Sequence, residues 1–182
     1  MNDSNLPVIY LSILVILLSG AGVVLLRQVF KTRKIENTFS RLQSKLSKGK
    51  GTAQEYYEFG TILLDKKLYS QAIAQFQKAL KSKTLTDPDN KALVLNAIGF
   101  VYAAQEQYDL AIRHYKEALE LQPNYVIALN NLGFAYEKKQ LIAQSLEVYE
   151  QSLKINPNNT TAKRRANSLR KRLTPSPSSS ET

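Results

Sequence analysis

The chain has no cysteine, one histidine and no glycine-rich phosphate loop. Without cysteine it holds no disulfide and no thiolate metal site. The single histidine, His114, sits in a polar stretch, RHYKE. With no positioned nucleophile or carboxylate beside it, it is not a catalytic unit. These absences argue against an enzyme, and against a cofactor, a metal or a small-molecule substrate.

Charge is missing from one long stretch. Leu6–Leu26 (LPVIYLSILVILLSGAGVVLL) carries no ionisable acid or base. As a helix its 21 residues would span roughly 31 Å, about the thickness of a bilayer core. A cleaved secretory signal would want positive residues before the run and a shorter apolar segment. Here Asp3 precedes it, and Arg27, Lys31, Arg33 and Lys34 follow. The reading is an uncleaved anchor with the basic side retained on the cis, cytoplasmic-equivalent face. Ser19, Gly20, Ala21 and Gly22 form a small-residue patch where a second helix would approach closely, or would simply suit the bilayer.

Acids are scarce at both ends. Residues 27–51 hold eight Lys/Arg and one acid, and residues 162–173 hold six Lys/Arg and none. The body, 52–161, holds eleven Lys/Arg against twelve acids. The net charge of +10 therefore resides outside the body. Beside the anchor the first basic segment reads as topology and attraction to the lipid bilayer. The basic residues of 162–173 read first as the solvated outer face of a cap and second as a lipid contact, and a neutral body speaks against nucleic acid. Ile35, Phe39, Leu42 and Leu46 recur at helical spacing within the first basic segment. That segment is either an amphipathic helix near the headgroups or a continuation of the membrane helix.

What the body has is repetition. FGTILLDKKLYSQAIAQFQKAL starts at Phe59, IGFVYAAQEQYDLAIRHYKEAL at Ile98 and LGFAYEKKQLIAQSLEVYEQSL at Leu132. Gly99 and Gly133 are 34 residues apart, as are Pro123 and Pro157; Gly60 and Gly99 are 39 apart. A period near 34 with these offsets is the tetratricopeptide (TPR) signature. The five extra residues are expected as a loop at Thr84–Asn90. Gly60, Gly99 and Gly133 let the second helix of each hairpin approach the first. Ala72, Ala111 and Ser145, then Ala79, Ala118 and Ser152, are small contact positions. Phe76, Tyr115 and Tyr149 fill the gaps between neighbouring repeats. Pro123 and Pro157 stop the second helices, and repeat one has Thr84 in that place.

The expected fold is all-α: an N-terminal transmembrane helix, then a three-repeat TPR superhelix with a C-terminal capping helix. Residues 1–30 are the anchor and 31–52 the basic amphipathic linker. The repeats occupy 53–87, 88–123 and 124–157. The capping helix is 158–173, and 174–182 a disordered Ser/Pro-rich tail. The helix pairs are expected at 53–66 with 69–82, 88–105 with 108–121, and 124–139 with 142–155.

Such repeats recognise proteins. The first helix of each lines the concave face, which places Tyr57, Thr61 and Leu64, then Leu93, Asn96, Phe100 and Ala103, then Ile127, Asn130, Phe134 and Glu137 along one groove. The pairs Asn96/Asn130 and Phe100/Phe134 recur at one offset. Amides bond a peptide backbone and aromatics anchor it. The candidate protein-binding residues are Tyr57, Thr61, Asn96, Phe100, Asn130, Phe134 and Glu137. The carboxylate clamp by which some TPR domains grip acidic chaperone tails needs basic residues where this chain has Tyr57, Thr61, Ile127 and Asn131, so that docking is not expected.

One family unites these features. The anchor NLPVIYLSILVILLSGAG, then RQVFKTRK, then three repeats and a basic cap resembles the membrane-anchored TPR assembly factor of photosystem I in cyanobacteria and plastids. The resemblance covers about residues 1–173. It implies a single-pass thylakoid protein with its repeats on the cytoplasmic or stromal side. Such a protein binds photosystem I subunits transiently and carries no pigment or metal. Two other readings remain: a preprotein or translocation receptor that presents its repeats to targeting peptides, and a small homo-oligomer organised by Ser19–Gly22.

Overall fold

The structure is a computed structural model that describes residues 6–49 and 51–173. The tail expected at 174–182 lies outside the described residues. Those residues form eight α-helices and no strand. The chain separates into two compact units, Met1–Gly49 and Lys50–Thr182.

The first unit is one helix, α1, Leu6–Ser47, 42 residues long, or roughly 63 Å. It is long and apolar enough to cross a membrane. Its apolar side chains are not packed: Ile16 is 70% and Leu17 65% exposed. A core helix of a soluble protein would bury that surface. Of the two pictures offered for the basic segment, the helix follows the second and continues past Arg27 without a break. Gly49, with φ +70°, ends it in the left-handed conformation that only glycine adopts freely.

The second unit is a stack of hairpins: α2 (Ala53–Asp65) on α3 (Tyr69–Lys81), α4 (Pro88–Ala104) on α5 (Tyr108–Leu121) and α6 (Val126–Lys138) on α7 (Ile142–Ile155). Helix α8 (Thr160–Leu173) packs on α7 and closes the stack. These bounds agree with the expected pairs to within about two residues, the usual uncertainty of a helix end.

Each hairpin turns by the same device. Lys67, Glu106 and Gln140 hold φ near +60° at equivalent positions. The next amide reaches back to the first helix: Leu68 N to Leu63 O (2.8 Å), Gln107 N to Tyr102 O (2.9 Å) and Leu141 N to Tyr136 O (2.9 Å). These bonds cap orphan carbonyls in a Schellman motif. Helix α2 begins with a capping box: Thr52 accepts from Glu55 N, and the Glu55 carboxylate accepts from Thr52 N.

The extra five residues correct an expectation. They are not all loop. Helix α4 starts eleven residues before Gly99, whereas α2 and α6 start seven before Gly60 and Gly133. About one added turn of helix absorbs most of the insertion. Asp87 accepts from Asn90 N (3.1 Å) as the N-cap, and Pro88 stands at the first position, where its missing N–H costs nothing. Thr84, in the place of the absent proline, accepts the amide of Ala53 (2.8 Å) and so ties the end of repeat one to its own beginning.

Candidate protein-binding groove

The side chains of Phe100 and Phe134 line one cleft of about 360 Å³, with Ala103, Ala104, Tyr108, Asn131 and Lys138 around them. Phe100 is 49% exposed although nothing in its chemistry favours water. The Lys138 ammonium lies 5.5 Å over the Phe134 ring in a cation–π arrangement, and Glu106 lines the same cleft, so an apolar floor carries one charge of each sign beside it. Lys138 and Tyr108 were not singled out from sequence, and Asn131 was named only as a place where a carboxylate clamp lacks its base. For Lys138 a signal existed, since it follows Phe134 by four residues and so shares its helix face.

Tyr57 opens a second cleft of about 260 Å³, shared with Leu85, Asn90 and Leu93. Its ring stands 5.6 Å from that of Phe76, and burial holds its hydroxyl above the usual tyrosine range. Thr61 Oγ1 turns back on its own helix, toward the carbonyls of Tyr57 (3.1 Å) and Glu58 (2.8 Å).

The two asparagines serve the stack itself. Asn96 is buried, and its Oδ1 accepts from Asn131 Nδ2 at 3.0 Å. It also hydrogen-bonds the Tyr125 hydroxyl. Asn130 Oδ1 accepts from Ser152 Oγ and from Asn159 Nδ2, each at 3.0 Å. Tyr125 and Asn159 are 34 residues apart. Each asparagine therefore fastens the residue that opens the next element. Their recurrence is accounted for by bonding between repeats.

Glu137 is likewise engaged: it accepts from the Tyr149 hydroxyl (2.8 Å) and from Arg165 Nη1 (3.3 Å) of α8. His114 stacks flat on Tyr102 with ring centroids 5.5 Å apart, and it corrects the expectation of no carboxylate beside it, since its Nδ1 lies 2.9 Å from Glu117 Oε2. Burial lowers its pKa despite that carboxylate.

The Asn130→Ala substitution is expected to destabilise the repeat body by about 1–3 kcal/mol. It takes the acceptor away from the buried Ser152 O–H and from one of the two bonds of Asn159 Nδ2, which keeps its bond to Ser152 Oγ (2.8 Å). Thermal unfolding checks the magnitude. Amide exchange should show α8 loosening first, because the seam joins it to repeat three. Replacing the asparagines therefore does not test the groove cleanly; replacing the phenylalanines does.

Comparison with known proteins places these features. Three family models of the tetratricopeptide repeat match, at residues 53–84, 99–140 and 126–159. The uncharacterized protein ycf37 of Guillardia theta is 38% identical over 121 residues, which is 66% of this chain and 68% of that one. The chloroplastic TPR domain-containing protein PYG7 of Arabidopsis thaliana is 36% identical over 121 residues, 65% of this chain and 40% of that one. Among solved structures, the first TPR of Spaghetti (RPAP3), bound to the HSP90 peptide SRMEEVD, superposes with a TM-score of 0.61 at 21% identity. It covers 66% of this chain and 92% of its own, a likeness of fold.

Proposed function

Because the chain belongs to the tetratricopeptide repeat proteins, and among them to the family of ycf37 and PYG7, we propose that it is a membrane-tethered scaffold. It binds subunits of a membrane protein complex and assists their assembly or stability, and photosystem I is the complex the sequence resemblance indicates. TPR proteins hold partners rather than transform them. The observation that carries the reading is the pair Phe100 and Phe134, two aromatics on successive repeats facing one cleft. Anchors of this kind dominate the energetics of protein interfaces.

The chloroplastic location of PYG7 supports a thylakoid site. The exposed apolar half of α1 supports a single-pass anchor, with the repeats on the side of Arg27, Arg33 and Lys34. Helix α1 continues for 21 residues beyond Leu26, so its far end stands roughly 30 Å from the apolar segment. A preprotein receptor would use the same groove for a basic, amphipathic peptide. The cleft offers that cargo no surplus of acid, since Glu106 is matched by Lys138 and Glu137 is occupied by Arg165 and Tyr149.

The test is a tagged pull-down from mildly solubilised thylakoids. Photosystem I subunits should be enriched over those of photosystem II. The double substitution Phe100→Ser/Phe134→Ser should reduce that recovery at least tenfold, since truncating one aromatic anchor typically costs ~2 kcal/mol. The variant's helical content should not change. Translocon or precursor proteins in place of photosystem I subunits would make the chain a receptor.

A further inference from the structure

We infer that the capping helix α8 is a second membrane contact, a cationic face that docks on anionic lipid headgroups. Six of its fourteen residues are Lys or Arg and none is acidic. Three of them hold the helix to the stack. Arg165 and Arg170 fasten the helix through Glu137 (3.3 Å) and Glu150 (2.7 Å), and Arg172 donates to the Gln140 side-chain oxygen (3.1 Å). Ala162, Ala166 and Leu169 are buried beneath them. Lys163, Arg164 and Lys171 are exposed, alongside Asn167 and Ser168.

A solenoid cap must be polar to stay soluble, but it need not be cationic. Asn167 and Ser168 already meet the need for polarity. Lys163 and Arg164, adjacent and exposed with no acid elsewhere in α8, repel one another at a cost that a mixed surface avoids. The repeats before α8 do mix their signs, with eleven Lys/Arg and twelve acids over 52–161. The surplus positive charge is thus confined to a rigid platform at the end of the stack and calls for an anionic surface. Exposed Leu173, 48% accessible at the end of the helix, suits insertion among headgroups.

A nucleic acid or an acidic protein would also satisfy the charge. Lipid is favoured by the chain's other acid-poor segment, residues 27–51, which adjoins the exposed apolar half of α1. A chain already held at a bilayer meets headgroups at high effective concentration, so weak cationic contacts suffice. In this respect the inference rests on the membrane-tethered reading.

The absence of native cysteine allows a clean test. The full chain carrying Ser168→Cys, labelled with a fluorophore, is placed in nanodiscs of phosphatidylcholine alone or with phosphatidylglycerol. Quenching by neutral acrylamide is then measured. In anionic discs quenching should fall several-fold. Lys163→Gln/Arg164→Gln/Lys171→Gln should restore it, because each cation near an anionic surface is worth roughly fivefold in binding. So should salt at about 0.5 M. Equal quenching in both discs would overturn the inference, as would protection that survives the triple substitution or that appears only when RNA or an acidic protein is added. Co-elution with zwitterionic discs reads the anchor alone, so failure of the anchor and failure of the cap are separate results.

Discussion

Gly99→Val should cost the repeat body about 3 kcal/mol or more, seen as a lower urea midpoint at unchanged slope. A Cβ at Gly99 would stand 2.7 Å from two ring carbons of Tyr115 and 3.2 Å from the Ala111 carbonyl oxygen. The ring has nowhere to go. Tyr115 is 1% exposed, in a cluster with Leu129, Leu132, Ala135 and Tyr136. Burial also drives its hydroxyl well above the usual tyrosine range. The clash therefore passes from the second hairpin into the third, and a stack held by nearest-neighbour contacts loses both together. Adding Tyr115→Leu should recover part of the loss, giving a double substitution milder than the sum of the single ones. Gly22→Ala in α1 is the control. Nothing lies within 4 Å of a Cβ there, and its stability effect should fall within about 0.5 kcal/mol.

That contrast shows which features the sequence makes legible. A glycine at a fixed offset, with an aromatic sixteen residues later, states that two helices touch at that point. The structure sets each glycine against the aromatic of its own hairpin, Gly60 with Phe76, Gly99 with Tyr115 and Gly133 with Tyr149, whereas the sequence reading placed those aromatics between neighbouring repeats. Periodicity records such packing because every repeat must solve the same problem. Partners that differ between repeats are not recorded in this way. Asn131 reaches Asn96 across 35 residues and Asn159 reaches Asn130 across 29, and no local pattern specifies either bond. The asparagine pair accordingly read as a ligand platform, although both oxygens are taken up within the stack. Glu137 read as a groove acid for the same reason, its partner Arg165 lying 28 residues on. At the insertion the cue was local but double-valued. An Asp-Pro step marks a turn and equally well marks the N-cap and first residue of a helix, and tertiary packing chose the helix.

Removing residues 1–30 should abolish sedimentation with membranes while leaving the repeats folded. The cut takes away only surface that the fold does not use: the described apolar side chains from Tyr10 to Phe30 are almost all exposed, Phe30 at 68%. It spares Leu42 and Leu46, which are buried. Hydrophobic transfer makes the effect on partitioning very large, since a stretch of about twenty apolar residues is held in a bilayer almost irreversibly. The effect on unfolding should stay within about 1 kcal/mol, because the described apolar side chains that the cut removes are almost all exposed. Assembly of the client complex in cells separates tethering from recognition. If the groove works by confinement, the truncated chain retains its affinity for an isolated client segment yet supports little assembly, because the effective concentration supplied by the membrane is gone. Restoring the anchor with an unrelated apolar helix should then restore assembly, whereas a requirement for the native Ser19–Gly22 sequence would show that the anchor itself touches partners. Full assembly by the soluble truncated chain would refute tethering and leave the cleft between Phe100 and Phe134 to act alone.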